Sequence, residues 1–585
     1  MLVKKLQDPL SKVGQDVNHT YELKNSTEPF FSEELVSEGE LTQDTLEQLG
    51  LDINNLNCSM SPEFKFLMNY FSETSQMTFE YRNSCSTAVQ GFKIVDDKVT
   101  APSTPLKALK YKFEDFEIPN GPITLEEYIN KLNRDVIPYS VNVSANTYIG
   151  HMTSALPSFM TELSKLIVVL NQNMVKVETS KSLSLMERQV LAMTHKKFFN
   201  LNDSFYTEDI QNPDKVYGIV TSGGSLANIT ALISARNKSL LNLGYSLDNI
   251  AANGANELLK ESGYSKFVIL CSRLSHYSVK KAAVTLGIGE KNIKVLAQDA
   301  EQKVSIEDLQ KELKKCKANS ELVVAVIGIA GATETGTVDP LSEMAELCRK
   351  HNVHFHVDAA WGGAFKFSNK FSHLLQGIEH ADSLTFCAHK QLYLPQGISL
   401  LLFRDPSNTG IIPVHANYQA QPGSFDLGQY SLEGSRPALS LLLHSAYHLI
   451  SEKGYGLLID NSMEKTAYFK QLLELDPAFE VVGDSPLNIV NYRYIPKRLR
   501  KPQNIANTQK DNVEISRAVC KIQSKQFEIG QSFVSKTTLT NRMISESPIT
   551  VFRAVISNPL VSFQDLKNVL REQLQIAEEV VEGST

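Results

Sequence analysis

The chain has 585 residues, 42% of them hydrophobic and 21% charged, with a net charge of −7 at pH 7. At about 100–200 residues per domain, that length makes two to four domains and excludes a peptide or a disulfide-stapled miniprotein. The slightly acidic balance, with Lys and Arg dispersed, excludes the basic footprint of a nucleic-acid binder, and no run reaches the roughly 18 apolar residues that span a bilayer.

Residues 1 to about 60 are polar and acid-rich, with Glu33, Glu34, Glu38, Glu40, Asp44 and Glu47 close together. They read as a weakly ordered arm. Its first residues, Met1-Leu-Val-Lys-Lys-Leu-Gln-Asp8, turn polar too early for a secretory signal, which makes the cytoplasm the expected compartment. A short apolar patch, Phe64 to Phe71, is expected to form a helix that docks on the main body. Residues 1–120 are therefore read as an extension, partly disordered or a docking arm. Prolines 102, 105, 119 and 122 punctuate its end. Thr124 and Glu127 then have capping-box spacing and open a helix through about Lys131.

From Phe159 to Val177, apolar residues recur at three- and four-residue steps, which predicts one long helix. A second helix is expected after Ser184-x-x-Glu187. Short apolar runs at 216–220, 267–270, 323–329, 353–357, 384–386 and 398–403 alternate with helical patterns. Their length and β-branched content predict buried strands in a mostly parallel sheet with helices on both faces, an α/β fold. Residues 121–160 are read as a helical segment, 161–436 as the large α/β domain, and 437–585 as a smaller α+β domain. Within the last, Pro496-Lys-Arg-Leu-Arg-Lys501 reads as a solvated turn. The seven cysteines are scattered without a C-x-x-C pair, as reduced core thiols are.

Four pieces fall at predicted strand ends, the edge where open α/β sheets bind ligands. Thr221-Ser222-Gly223-Gly224-Ser225 joins a strand to a helix, and its free N–H groups and hydroxyls suit a phosphate. His356-Val357-Asp358 puts a carboxylate at the end of a buried strand, which calls for a cationic or hydrogen-bonding partner. His354, His356 and Asp358 share a strand face and leave a zinc reading open, though such residues are more often packed or hydrogen-bonded, and no metal is expected. Ala388-His389-Lys390 carries an amine to the same edge, where burial makes a lysine nucleophilic toward aldehydes. Ser275-His276-Tyr277-Ser278 adds a flat imidazole. One cofactor has a phosphate, an aromatic ring with a basic nitrogen, and an aldehyde to occupy all four: pyridoxal 5′-phosphate.

The order Ser-Gly-Gly-Ser, Ser-His-Tyr-Ser-x-x-Lys, His-Val-Asp-Ala-Ala-Trp, His-Lys resembles the pyridoxal-phosphate group II amino acid decarboxylases over about residues 145 to 575. Ala388-His-Lys-Gln-Leu-Tyr-Leu-Pro395 and Leu432-Glu-Gly-Ser-Arg-Pro437 look closest to the bacterial aspartate 1-decarboxylases. The resemblance implies the aspartate aminotransferase-like fold and the conversion of an L-amino acid, foremost L-aspartate to β-alanine, into an amine and CO2. It implies that Lys390 links to the cofactor and that Asp358 pairs with the ring nitrogen. His276 and Ala360 would flank the ring, and Thr333 would bond His389. Ser222, Gly223 and Gly224 would hold the phosphate with His389 and with Ser435 of a homodimer partner. Tyr418 is assigned as the loop tyrosine that protonates Cα, with Tyr430 a poorer match; Gly150 to Pro157 resembles the substrate-side segment, giving His151, Thr153 and Ser154 as substrate contacts. Glutamate or another acidic or aromatic substrate, a lyase of the same fold, and a catalytically silent scaffold are the alternatives.

Overall fold

The computed structural model describes residues 61–71, 99, 106–412, 423–501, 507–540, 544–545 and 547–583. The acidic arm and the loop carrying Tyr418 lie outside them. Seven strands build the main sheet: β1 (Gly218–Thr221), β2 (Lys266–Cys271), β3 (Ile293–Val295), β4 (Glu321–Ile329), β5 (His354–Asp358), β6 (Ser383–Cys387) and β7 (Ser399–Phe403). Their order is β1-β7-β6-β5-β4-β2-β3. All neighbours are parallel except β7, which runs against both β1 and β6. The reason is the connection: residues 388–398 hold no helix, and a parallel return needs a longer crossover. Ser399 at the start of β7 therefore sits level with the last residues of β1 and β6, Thr221 and Cys387. The segment 388–398, with Lys390, is thereby held at the edge where β1, β4, β5 and β6 end.

Both faces of this sheet are covered, as the continuous apolar runs required. Along β2, Val268 and Leu270 enter one core while Phe267, Ile269 and Cys271 enter the other. A second sheet, order β10-β11-β9-β8, is antiparallel throughout: β8 (Phe479–Val481), β9 (Ile489–Tyr494), β10 (Ser535–Leu539) and β11 (Ile549–Val555). The helices Gln509–Ile529 and Phe563–Ala577 pack on it through Val519, Ile522, Leu566 and Val569. β3 and β10 were not expected from the sequence. The first is a three-residue edge strand, and the second, Ser-Lys-Thr-Thr-Leu, carries almost no apolar signal.

The apolar patch does form a helix, over residues 62–71, and buries Phe64, Leu67 and Phe71. Phe71 lies edge-on to Tyr393, ring centroids 5.2 Å apart, three residues beyond Lys390. Phe71→Ala is expected to cost about 3–5 kcal/mol, read as a lower urea midpoint; an unchanged midpoint would show that the helix does not dock there. The Thr124–Glu127 capping box is present in full and opens the helix Leu125–Asp135.

Two helix expectations need correction. The Phe159 helix stops at Leu170, where Asn171 takes the left-handed conformation that ends helices, so Met174 and Val177 lie beyond it. The next helix begins at Ser182, which leaves Ser184 and Glu187 inside it. Glu187 is no cap: its carboxylate accepts from Arg436 Nη1 at 2.8 Å. The basic cluster at 496–501 is a solvated turn whose Lys497, Arg498 and Lys501 pair with Glu578, Glu514 and Asp511. No described helix is long and apolar enough to cross a membrane.

Candidate active site

The four sequence pieces meet in one cavity of about 270 Å³ at the strand-end edge of the main sheet. Of the expected site residues, Ser222, Gly223, Gly224, His276, Thr333, Asp358, Ala360, His389 and Lys390 line it. His151, Thr153, Ser154 and Ser435 do not, and Tyr418 is outside the described residues. Tyr430 ends a short 3-10 turn and packs against the main core, away from the cavity.

The glycine-rich turn caps the helix Gly224–Leu241. Gly224 has no room for a side chain, because a Cβ there would meet Cys387 Sγ at 2.8 Å. Its backbone can therefore approach the sheet edge closely. The Ser222 N–H already donates to a carboxylate oxygen of Glu433 at 3.1 Å, so this turn takes an anion.

Asp358 is the last residue of β5 and is 9% exposed. The demand for a partner is met by Asn228, whose Nδ2 donates to Asp358 Oδ2 at 2.8 Å, and by the Ala360 N–H, 3.1 Å from Oδ1. Asn228 was not singled out in the sequence; it follows Gly224 by one helical turn, a spacing that could have found it. His354 and His356 both bond the Ser383 hydroxyl, at 2.8 and 2.9 Å. These contacts account for the strand-face histidines, and the described residues contain no cluster of three or more side chains able to hold a metal.

Lys390 sits in the turn after β6, its N–H facing the Cys387 carbonyl at 3.4 Å. Burial lowers the pKa of His276, and the Asp358 carboxylate partly offsets this while the Lys390 charge adds to it. His389 is pushed down to about 4 by burial, against the pull of the Ile398 carbonyl, which its Nδ1–H meets at 2.9 Å. The His389 ring is thus neutral at neutral pH.

Arg553 of β11 was also missed, because in sequence it is one arginine in an apolar strand. It reaches out of the small sheet toward the cavity rim, donating to the carbonyls of Thr333 at 3.1 Å and Gly150 at 3.4 Å and to the Ser535 hydroxyl at 3.1 Å. Its strand neighbour Asn491 holds the Glu334 carbonyl at 3.0 Å. The small sheet also holds the segment expected on the substrate side: the Val555 N–H bonds Ile149, and His151 follows two residues on, its Nδ1 3.1 Å from the Thr153 hydroxyl. Burial lowers the His151 pKa, and the charges of Arg553 and Lys390 lower it further.

An anion-accepting turn, a hydrogen-bonded carboxylate, an imidazole and a lysine amine around one cavity make a donor set that fits pyridoxal phosphate. Fold and cavity together are those of a pyridoxal-phosphate enzyme. Residues 110–495 match the family model "Pyridoxal-dependent decarboxylase conserved domain". The chain is 42% identical to an aspartate 1-decarboxylase of Aliivibrio fischeri, over 82% of this chain and 88% of that one. It is 29% identical to an L-aspartate decarboxylase of Metarhizium robertsii, over 69% and 77%. The crystal structure of Oryza sativa TDC with PLP and tryptamine shares the fold at a TM-score of 0.71 and 18% identity, covering 89% of this chain and 99% of that one. The chain belongs to the pyridoxal-dependent decarboxylase family. It is a carboxy-lyase that uses pyridoxal phosphate to remove CO2 from an amino acid.

Proposed function

We propose that the substrate is L-aspartate and the product β-alanine. The observation that carries this reading is Arg553, a half-buried guanidinium that bonds the carbonyl of the cavity residue Thr333, and otherwise one more carbonyl and a hydroxyl. Glu334 is the acid whose charge acts on it. A second carboxylate on the substrate gives this cation a partner, which an aromatic substrate does not. The similarity to the Aliivibrio and Metarhizium enzymes supports the same substrate.

When bound, the cofactor supplies an aldehyde for the substrate amine and a ring that takes up the electron pair left by CO2. Lys390 would link to that aldehyde and yield its place to the substrate. Asp358 would keep a proton on the ring nitrogen, while His276 and Ala360 enclose the ring. Ser222, Gly223 and Gly224 would bind the phosphate. His389, whose Nδ1–H is spent on a carbonyl, has Nε2 left as an acceptor. That suits a hydroxyl donor such as Thr333 better than a phosphate oxygen. Tyr418 would return a proton to Cα, and His151, Thr153 and Ser154 would border the substrate beside Arg553.

Incubation with aspartate, glutamate, cysteine sulfinate, tyrosine and tryptophan, followed by amine detection, tests the assignment; a preference for any of the last four overturns it. Arg553→Gln removes a hydrogen bond to a charged group, worth about 1.5–3 kcal/mol, so KM for aspartate should rise about 10- to 150-fold. Steady-state kinetics check this, and a KM within twofold of wild type would free Arg553 of the role.

We also place the enzyme in the cytoplasm as a homodimer. The described cysteines are all free thiols, which supports a reducing compartment. Ser435 is exposed and bonds Asn173 rather than its own chain's cavity, consistent with service to a partner's site. A monomeric mass in light scattering would remove the dimer.

A further inference from the structure

Asn228 holds three polar groups at once. It is 2% exposed, on the first turns of the helix that the phosphate turn opens. Its Nδ2 lies 2.8 Å from Asp358 Oδ2 and 2.9 Å from Ser278 Oγ, and its Oδ1 lies 3.1 Å from His356 Nε2. An ionised carboxylate only accepts, so the amide nitrogen must face Asp358, and that single fact sets the direction of every bond around it.

With the oxygen toward His356, Nε2 of that ring must carry the hydrogen, and Nδ1 must accept from the Ser383 hydroxyl at 2.9 Å. The Ser383 oxygen in turn accepts from His354 Nε2 at 2.8 Å. On the other side, the second amide hydrogen goes to Ser278 Oγ, which leaves the Ser278 hydroxyl hydrogen for His276 Nδ1 at 2.8 Å. The Ser278 N–H points to the same nitrogen at 3.3 Å. His276 is thereby fixed as the tautomer with its hydrogen on Nε2. One asparagine determines the orientation of the acid assigned to the cofactor ring and, by directing the Ser278 hydroxyl, adds to the Ser278 N–H a second donor on Nδ1 of the imidazole assigned to its face.

We infer that Asn228 is a positioning residue for the decarboxylation: it fixes Asp358 as a hydrogen-bonded carboxylate and, through the Ser278 hydroxyl, holds the ring of His276 in place. The inference rests on the proposed roles of those two side chains. An aspartate at 228 would face Asp358 with a second carboxylate, and two such groups at hydrogen-bond distance share one proton. An alanine would leave Asp358, His356 and Ser278 each short of a partner.

Asn228→Ala is expected to lower kcat about 10- to 100-fold with KM within about twofold, because the lost contacts act on the reacting centre rather than on substrate binding. Combined with Asp358→Asn it should lower kcat less than the product of the two single losses, since both act on the same acid. For Asn228→Asp, the acidic limb of the kcat/KM–pH profile should move up by at least about one pH unit. In the cofactor-free protein, 15N-histidine NMR should give His276 as the Nε2–H tautomer in wild type, and in Asn228→Ala the Nδ1 resonance should shift as the Ser278 hydroxyl loses its fixed direction. Should Asn228→Asp not fold, Asn228→Ser, too short to reach both partners, takes its place in the NMR and cycle measurements. Strictly multiplicative losses, or a His276 Nδ1 resonance unmoved in Asn228→Ala, would overturn the inference. Near-native kcat in Asp358→Asn would sink the reading of Asp358 itself, whereas a large loss there with wild-type behaviour at 228 would sink the inference on Asn228 alone.

Discussion

Lys390→Ala is expected to abolish the visible absorbance that an aldehyde condensed with an enzyme amine gives, and to lower kcat by at least about 10²–10⁴, the range for a group that moves a proton at the reacting centre. The expectation follows from place as much as from residue type. Lys390 comes off β6 in a tight turn closed on Cys387, and the return strand β7 holds the far end of the segment level with Cys387. Lys390 lines the cavity with His276 and His389, and its charge contributes to the lowered pKa of both. Alanine removes that amine without touching the glycine turn, so the variant should still retain the cofactor through its phosphate. Borohydride reduction of the wild-type holoenzyme, followed by peptide mapping, should label position 390. A label on another lysine, or an unchanged spectrum in the variant, would falsify the assignment.

The sequence carried much of this site because its parts are set by backbone position. A strand that ends in Asp358, a turn that requires Gly224, and a lysine just after β6 are each legible from apolar runs and their terminators. The sheet edge then brings them together, since chain order and short connections admit few topologies. What was not legible depends on a side chain's reach across the fold. Asn228 reads as an ordinary polar residue in a helix until β5 is seen beside it. Arg553 lies in β11, far in sequence from the Thr333 and Gly150 carbonyls it bonds. Ser184 and Glu187 misled in the opposite sense: the spacing of a cap was present, but Glu187 faces a buried arginine. Local patterns name a helix start only when no tertiary partner claims the same side chain.

Asp358→Asn should keep the fold and lose about three powers of ten in kcat. Opposite charges about 4 Å apart at an effective dielectric of about 20 interact by about 4 kcal/mol, and that attraction, which in the proposed role of Asp358 would keep the ring nitrogen protonated as charge builds, vanishes with the carboxylate. The hydrogen-bond pattern works in the same direction. Asp358 accepts from Asn228 through one oxygen and from the Ala360 N–H through the other. An asparagine there must turn an NH2 toward one of these donors, so one contact becomes donor against donor. The Asn228 amide cannot relieve this by flipping, because its oxygen is held by His356 and its second hydrogen by Ser278. The side chain at 358 is therefore expected to give up the Ala360 contact or rotate, a local change that a two-state unfolding curve registers as at most a few kcal/mol. Cofactor titration, circular dichroism and steady-state kinetics separate the outcomes: intact fold and bound cofactor with turnover reduced about a thousandfold is the expected result. Turnover within tenfold of wild type would mean that the carboxylate at the end of β5 orders the site without polarising the ring.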